Sequence, residues 1–391
     1  MKSLDAASIL PEDGTKGALV GRVWLPQAAG PSVVAVRGDG VFDVTQKFPT
    51  VSALAELPNP ASALREAAGT RIGSLDEIVA NVSPDTRDAK KPWLLAPLDL
   101  QVLKAAGVTF VVSMLERVIE ERARGNPSSA AAIRKEVERL VGDDLSKLKP
   151  GSPEAMRLKE VLISQQAWSQ YLEVGIGPDA EVFTKAPVMS SVGTGMDAGL
   201  HPKSTWNNPE PEVVLVVSSQ GRIVGATLGN DVNLRDFEGR SALLLSKAKD
   251  NNASCAVGPF VRLFDGTFSL DDIRKMDITM TVEGADGFVL DGHSSIGRIS
   301  RDPEDLVSQT IGPVHQYPDG FALFLGTMFA PVKDRDMPGQ GFTHKRDDVV
   351  TIRTAKLGQL ISRMRTSDEC EHWTFGIGAL MKNLAGRGCL R

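Results

Sequence analysis

The sequence predicts an α+β fold in which strands dominate the C-terminal half. Three observations lead to this prediction. Short β-branched runs with glycine turns precede residue 92, amphipathic helical segments lie between about 114 and 173, and strand and turn patterns continue beyond Pro187. The 37 glycines and 23 prolines of the 391-residue chain fit a protein with many turns.

Residues 1–92 are predicted to form a small N-terminal α/β domain, and residues 93–391 the main domain. Within the first, residues 20–24 and 32–36 are predicted strands, and Gly38-Asp39-Gly40 is a predicted hairpin turn. The polar, proline-containing stretch 83–92 then indicates a linker, after which the sequence becomes apolar again.

Three helices are predicted in the segment 114–173, which we interpret as a helical insertion. Ser113 is predicted to cap the first, which stops at the Gly-Asn-Pro sequence 125–127. A second starts near residue 128. Ser152-Pro153 supplies an N-cap and a first-turn proline for the third, which is expected to run to about Tyr171.

Composition excludes several classes of protein. The formal charge of −5 and the pI near 5.7 argue against a nucleic-acid-binding surface, and aromatic residues make up only 5% of the chain. No apolar stretch is long enough to span a membrane without a charged residue. The three cysteines are widely spaced, which favours a reducing compartment. We therefore expect a soluble cytoplasmic protein without nucleic-acid or membrane partners.

The most informative segment is a predicted hairpin. Residues 212–217 and 222–228 are β-branched runs separated by residues 218–221, a loop of hairpin length. The predicted register pairs Val217 with Arg222, Glu212 with Thr227, and Glu210 with Gly229.

Three carboxylates are predicted to share one face of this hairpin. Glu210 and Glu212 are two residues apart on one strand, and Asp231 falls on the same face by parity. Because the three would repel one another, a hard cation is the natural partner. Mg²⁺ suits such a site, since it keeps waters that substrate oxygens can displace. The alternative is that these acids decorate a solvated strand end.

The same residues resemble known signatures of the fumarylacetoacetate hydrolase superfamily. Glu210-Pro211-Glu212 resembles its E-x-E motif, and residues 230–236 resemble its N-D-x-x-x-R-D motif. Lys249 with residues 253–255 resembles its active-site lysine segment, and Gly326-Thr327 its late T-G-T turn. Residues 184–187 fit its K-P-x segment only loosely, because an alanine intervenes.

This likeness covers residues of about 95 to 385. It implies a strand-rich, β-roll-like catalytic domain that binds one Mg²⁺ or Mn²⁺ and assembles as a homodimer or homotetramer. It also implies Glu210, Glu212 and Asp231 as the metal ligands.

One departure from the superfamily pattern affects the expected reaction. Hydrolytic members carry G-x-N-Y-x-x-H-x-x-E, and the corresponding run here is 107–116. Glu116 is kept, but Ser113 replaces the histidine. A serine cannot act as the neutral-pH base that makes hydroxide, so hydrolysis or decarboxylation is in doubt.

The whole chain, including runs 105–110, 116–123, 206–209 and 315–320, resembles bacterial 2-keto-3-deoxy-pentonate dehydratases of this superfamily. The resemblance implies a small 2-keto acid substrate and elimination of water, giving 2-oxoglutarate semialdehyde in non-phosphorylative pentose catabolism. An acylpyruvate hydrolase or a 2-keto acid decarboxylase on the same metal site is one alternative. A non-catalytic protein with a structural ion is another.

Roles can be assigned to further residues from this resemblance. The expected catalytic residues are Glu116, Lys249 and Glu120, and the expected substrate-binding residues are Arg235, Thr327, Ser113 and Gly326. Burial near the cation is expected to lower the pKa of Lys249, so that a neutral amine can take a proton. A lysine paired with the metal carboxylates is the alternative for Lys249, and an exposed helix residue for Glu120.

Overall fold

A computed structural model describes residues 4–124, 126, 128–129, 133, 148–164, 166–329, 331 and 333–390. The strands are β1 Ala18–Leu25, β2 Gly30–Arg37, β3 Gly40–Asp43, β4 Thr70–Gly73, β5 Trp93–Leu95, β6 Val102–Gly107, β7 Glu181–Ala186, β8 Met196–Leu200, β9 Asn207–Asn208, β10 Pro211–Val217, β11 Ile223–Asp231, β12 Asn233–Leu234, β13 Cys255–Leu263, β14 Asp277–Glu283, β15 Val289–Ser295, β16 Phe321–Phe324, β17 Val349–Thr354 and β18 Gly358–Thr366.

The helices of the described residues are mostly short. They are α1 Ala6–Ile9, α2 Val51–Ala55, α3 Pro60–Glu66, α4 Leu75–Ala80, α5 Val111–Arg122, α6 Pro153–Ser164, α7 Gln170–Ile176, α8 Arg235–Glu238, α9 Leu245–Lys249, α10 Leu270–Arg274, α11 Pro303–Thr310 and α12 Ile377–Gly386. The predicted α+β class with a strand-rich C-terminal half is confirmed.

Two sheets form the body of the protein. The larger has 11 strands in the order β4-β3-β2-β1-β13-β11-β10-β16-β6-β7, with β5 also paired to β1. The smaller has five, in the order β15-β14-β17-β18-β8. Apolar residues of β10 and β14, such as Leu215 and Met280, belong to one buried cluster. The two sheets therefore pack on each other around that core.

Strand β10 shows how the sheet positions the predicted cluster. Val213 and Leu215 pack in the core between the sheets, whereas Val214 and Val216 pack against apolar residues of α2 and α3. Side chains alternate along a strand. Glu210 and Glu212 therefore have the parity of the second set, on the face turned away from the smaller sheet.

The N-terminal strands continue the larger sheet. Strand β1 pairs antiparallel with β2 on one side and with β13 on the other, for example Val20 with Val261. The turn predicted at residues 38–40 joins β2 to β3. The division into domains at residue 92 stays a prediction, and the two segments share one hydrogen-bonded sheet.

Helix α5 differs in one respect from the prediction. It begins at Val111, and its N-cap, Phe110, makes no side-chain cap, so Ser113 is not the cap residue. Thr109, just before the N-cap, holds the backbone where it leads into α5. Its hydroxyl donates to the Leu325 carbonyl (2.6 Å), and its own carbonyl accepts from Ser300 N (2.8 Å).

The later helices of the insertion follow the prediction in part. Ser152 caps α6 as predicted, accepting from Ala155 N at 3.2 Å. However, α6 ends at Ser164 and α7 follows as a separate helix capped by Ser169. The helix predicted from about residue 128 lies almost entirely outside the described residues. Among those that are described, no helix is long and apolar enough to cross a membrane.

Candidate metal centre and active site

The predicted hairpin is formed by β10 and β11, but its register is two residues away from the prediction. Glu212 pairs with Gly229, not Thr227, and Asp231 N donates to the Glu210 carbonyl at 3.0 Å. A register irregularity between Val216 and Val217 and a loop one residue longer than predicted account for the shift. Because a shift of two residues preserves parity, the predicted common face is retained.

Glu210, Glu212 and Asp231 lie together as predicted. One ligand oxygen from each can be chosen so that all three lie within 4.8 Å of one another, and each side chain is buried. Glu212 accepts from Gly326 N (2.7 Å) and from the Thr327 hydroxyl (3.3 Å). Both of these donors are neutral.

Two buried lysines pair with the other two carboxylates. Lys249 Nζ lies 2.6 Å from Glu210 Oε2 and 2.9 Å from Asp231 Oδ2. Lys185 Nζ lies 2.8 Å from Asp231 Oδ1 and donates to the Lys249 carbonyl at 2.7 Å. Lys185 is fully buried, although the sequence motif around it matched only loosely.

Helix α5 meets the cluster through Arg117. Its guanidinium contacts Glu210 Oε1 through Nη2, and its Nη1 lies 2.8 Å from Glu120 and 3.1 Å from Glu238. Arg117 follows Ser113 by four residues, so both lie on one face of the helix.

Three residues that were predicted to bind or protonate the substrate do not line the cavity at the carboxylate cluster. Glu120 is buried, not exposed, and lies 3.1 Å from Arg235 Nε, which also donates to Asn208 (2.9 Å). Neither Glu120 nor Arg235 is among the described residues that line the cavity at the cluster. Glu116 is buried but is not among those lining residues either.

The predicted substrate-binding turn lies against the cluster. Ser113 Oγ donates to the Thr327 carbonyl, and both residues line the cavity. Gly326 adopts a φ of +100°, and a Cβ there would lie 2.0 Å from Thr109 Oγ1. A side chain is therefore excluded at the point where the backbone N–H reaches Glu212.

A small cavity of about 20 Å³ adjoins the carboxylates. It is lined by Ala106, Gly107, Val108, Ser113, Arg117, Glu181, Phe183, Glu210, Glu212, Asp231, Glu238, Lys249 and Thr327. That space holds about one water molecule. A ligand larger than water therefore requires side chains or α5 to move aside.

Burial and neighbouring charge perturb several pKa values in opposite directions. Burial would raise the pKa of Glu210, but Arg117 and Lys249 outweigh it and lower that pKa to about 2. Burial and then repulsion from Asp231 and Glu210 hold the pKa of Glu212 well above its usual range. Burial, followed by the charge of Glu238, raises the pKa of Glu181 to about 7.

Lys249 departs from the predicted titration. Burial alone would lower its pKa, but the carboxylates of Asp231 and Glu210 outweigh burial and raise that pKa above the ordinary value. In this arrangement the lysine is a cation, so the expectation of a neutral amine is wrong. The physical reason is that two carboxylates contact a single ammonium group.

The charges of the site fit a divalent cation. Six carboxylates, Glu120, Glu181, Glu210, Glu212, Asp231 and Glu238, surround four cations, Arg117, Lys185, Arg235 and Lys249. If all six carboxylates were ionised, two negative charges would remain, and the raised pKa values of Glu212 and Glu181 mean that protons take up part of this charge when no cation is bound. Glu212 makes no ion pair within the described residues. Carboxylate oxygens are ligands that suit Mg²⁺ or Mn²⁺, and these three groups lie close enough to converge on one ion.

Sequence reasoning missed Arg117, Glu181 and Glu238. Glu181 and Phe183 are two residues apart on β7, and both line the cavity. Their alternation in the sequence could have indicated that the two side chains share one face of a strand. Arg117 could have been found by its position one turn after Ser113. Glu238 gave no signal, because its role depends on where α8 packs.

No protein-family model matches the chain. A protein from Saccharolobus solfataricus named 2-dehydro-3-deoxy-D-arabinonate dehydratase is 29% identical over 185 residues, which are 47% of this chain and 58% of that protein. The chain thus matches little more than half the length of this relative. A Haloferax volcanii protein named probable 2-keto-3-deoxyxylonate dehydratase is 25% identical over 338 residues, which are 85% of this chain and 95% of that protein.

Solved structures show the same fold. A 2-keto-3-deoxy-D-arabinonate dehydratase complexed with magnesium and 2,5-dioxopentanoate superposes with a TM-score of 0.60 at 21% identity, covering 89% of this chain and 99% of that one. A 5-carboxymethyl-2-hydroxymuconate delta-isomerase from Mycobacterium smegmatis gives 0.52 at 17% identity, covering 89% and 98%. The chain is a homologue of proteins named as sugar-acid dehydratases, and it has the fumarylacetoacetate hydrolase-type fold that its motifs predicted.

Proposed function

We propose that this protein is a Mg²⁺-dependent hydro-lyase that converts a 2-keto-3-deoxy-pentonate to 2-oxoglutarate semialdehyde, which is 2,5-dioxopentanoate. The observation that carries the proposal is the buried carboxylate cluster, whose ligand oxygens can lie within 4.8 Å of one another. The names of both sequence relatives and the product in the magnesium-bound relative support the same reaction. The pathway is then non-phosphorylative pentose catabolism.

Glu210, Glu212 and Asp231 would hold the cation. When bound, it would act as a Lewis acid toward the C1 carboxylate and C2 keto oxygens of a 2-keto acid and make the C3 proton more acidic. Mn²⁺ could occupy the same oxygen ligands.

The chain itself must move two protons in the dehydration. The C3–H bond breaks, the C4–O bond breaks, and the C4 hydroxyl leaves as water. A later proton transfer from C5 and ketonisation give the semialdehyde, so atoms balance without a redox cofactor.

Glu181 is our candidate for the group that protonates the leaving hydroxyl. It lines the cavity beside Lys249, and its pKa is raised to about 7, so the carboxyl can hold a proton near neutral pH. Glu116 remains the candidate for taking the C3 proton, because an ammonium group at Lys249 has no lone pair to accept one. Lys249 would instead supply positive charge where the substrate's oxygens would lie.

The substrate carboxylate is proposed to lie near Thr327, Gly326 and Ser113. These residues are already connected by hydrogen bonds to each other or to Glu212. Arg235 was also expected to bind the carboxylate. Its present partners, Glu120 and Asn208, would have to release it first.

Ser113 weighs against hydrolysis or decarboxylation on this site. Its hydroxyl donates to the Thr327 carbonyl and lines the cavity where a hydrolase is expected to place its histidine. A hydroxyl cannot accept a proton from water at neutral pH.

The deciding experiment offers purified protein with Mg²⁺ both C4 epimers of 2-keto-3-deoxy-pentonate. A semialdehyde dehydrogenase would couple product formation to NADP⁺ reduction. We expect signal with at least one epimer, its loss with EDTA, and its return with Mg²⁺ or Mn²⁺. Faster hydrolysis of an acylpyruvate than dehydration of the keto-deoxy acid would overturn the proposal in favour of a hydrolase.

We also propose that the protein works in the cytoplasm as a homodimer or homotetramer, with the small 2-keto acid as its partner and neither nucleic acid nor membrane. The three cysteines are unpaired and buried, which fits a reducing compartment.

A further inference from the structure

A buried chain of charged side chains connects helix α5 to the segments that flank both strands of the β10–β11 hairpin. Arg117 and Glu120 are three residues apart on α5 and contact each other at 2.8 Å. Arg117 reaches Glu210, just before β10, and Glu120 reaches Arg235, four residues beyond Asp231. The two α5 residues thus contact the residue that enters β10 and the first residue of α8, both at the open end of the hairpin.

At its open end the hairpin lies beyond part of the sheet. The β10–β16 pairing covers only Val214–Val217, and the backbone around Glu210 is held by Asp231 N and by the short β9–β12 pair. Arg235 adds a side-chain contact between the two segments, since its guanidinium donates to Asn208, two residues before Glu210. Every member of this chain is buried, so water does not screen the contacts.

Glu210 is held through both of its oxygens. Arg117 contacts Oε1, and Lys249 Nζ lies 2.6 Å from Oε2. A carboxylate oxygen has two lone pairs, so an oxygen that accepts from a guanidinium can still coordinate a cation. Groups that hydrogen bond to ligating carboxylates orient them and strengthen metal binding.

We propose that Arg117 is a positioning residue that fixes Glu210 as a metal ligand and clamps helix α5, with Ser113 and Glu116, onto the cation site. Glu120 and Arg235 complete the clamp and are positioning residues too. This inference rests on the proposed function, because it assumes a divalent cation at the three carboxylates.

Position 117 suits an arginine for a geometric reason. Three carboxylates, Glu120, Glu210 and Glu238, surround it from different directions. A planar fork with several donors can serve all three, whereas a lysine ammonium is a single compact charge on a shorter stem.

The test is Mg²⁺ titration of the substrate-free protein by isothermal titration calorimetry, with unfolding followed in parallel. Arg117→Met should weaken Mg²⁺ binding by about 10- to 100-fold, the usual range for losing a partner of a metal ligand. Arg117→Lys, which keeps the charge and folds more readily, should weaken it by a smaller factor.

Arg301→Met is the matched control. Arg301 is also a buried arginine, but its guanidinium donates to the carbonyls of Val174, Gly177 and Pro178, away from the cluster. We expect this variant to lose stability and to bind Mg²⁺ with unchanged affinity.

Two results would overturn the inference. Unchanged Mg²⁺ affinity in both Arg117 variants would make the residue merely structural. Tighter binding would mean that Arg117 competes with the cation for Glu210. Absence of Mg²⁺ binding by the unsubstituted protein would instead refute the proposed function, so the two failures are distinguishable.

Discussion

The substitution Glu212→Gln tests whether the site is built for a cation. Glu212 makes no ion pair within the described residues, and its ligand oxygen can lie within 4.8 Å of those of Glu210 and Asp231. Repulsion between two charges at that separation is about 3.5 kcal/mol at an effective dielectric constant of 20. The raised pKa of Glu212 means that, without a cation, this carboxyl takes up a proton to relieve the repulsion, which costs stability at a pH above its unfolded pKa. Glu212→Gln removes that cost and should stabilise the metal-free protein by about 1–3 kcal/mol.

The measurement compares thermal unfolding in EDTA and in Mg²⁺ at pH 8. Cation binding at about a hundredfold excess over Kd should stabilise the unsubstituted protein by about 2.7 kcal/mol. Glu212→Gln should raise the Tm in EDTA by a few degrees and abolish the rise caused by Mg²⁺.

A control variant separates this effect from a general loss of charge. Glu66→Gln removes an exposed carboxylate from α3 and should leave both transitions unchanged. A Glu212→Gln protein that is less stable in EDTA, or that Mg²⁺ still stabilises fully, would show that the reasoning about the unpaired charge is wrong.

Three further predictions concern proton transfer, the Gly326 turn and pH. Glu181→Gln should lower kcat by about 100-fold in the coupled assay with unchanged Mg²⁺ affinity, and a larger loss for Glu116→Gln would move the acid role to Glu116. Gly326→Ala should lower the free energy of unfolding, measured in urea, by about 2 kcal/mol or more, because a Cβ would lie 2.0 Å from Thr109 Oγ1 at a φ of +100°. Stability equal to that of the unsubstituted protein would contradict this. Burial lowers the pKa of His344. Below about pH 6.5 the unfolded state therefore takes up a proton that the folded state does not. As the pH falls further, the free energy of unfolding should decrease by up to about 1.4 kcal/mol per pH unit. His344→Gln should flatten that part of the stability–pH curve, as measured by urea unfolding between pH 7.5 and 5.5.

The metal cluster could be predicted because it depends on parity within one local hairpin. The predicted pairing was wrong by two residues, since the turn and the irregularity near Val217 are set by local backbone geometry. Parity survives an even shift, so the common face of Glu210, Glu212 and Asp231 was predicted correctly.

The rest of the site depends on contacts between distant segments. Arg117 and Glu210 are separated by 93 residues, and Lys185 is 46 positions before Asp231 in the sequence, so no local pattern predicts either contact. Lys249 illustrates the same limit, because the two carboxylates that reverse its expected pKa shift come from segments outside its own helix. Glu120 and Arg235 were each given a separate role, whereas in the fold they are partners.

The position of β1 between β2 and β13 has a consequence for shortened versions of the protein. All the proposed site residues follow residue 100, so a chain starting at Trp93 would keep every one of them. Such a chain would nevertheless leave the residues of β13 that pair with β1 as an open edge, including Val261 and Leu263. An uncovered apolar edge of this kind recruits other chains, so the truncated protein should aggregate even though its chemistry is complete.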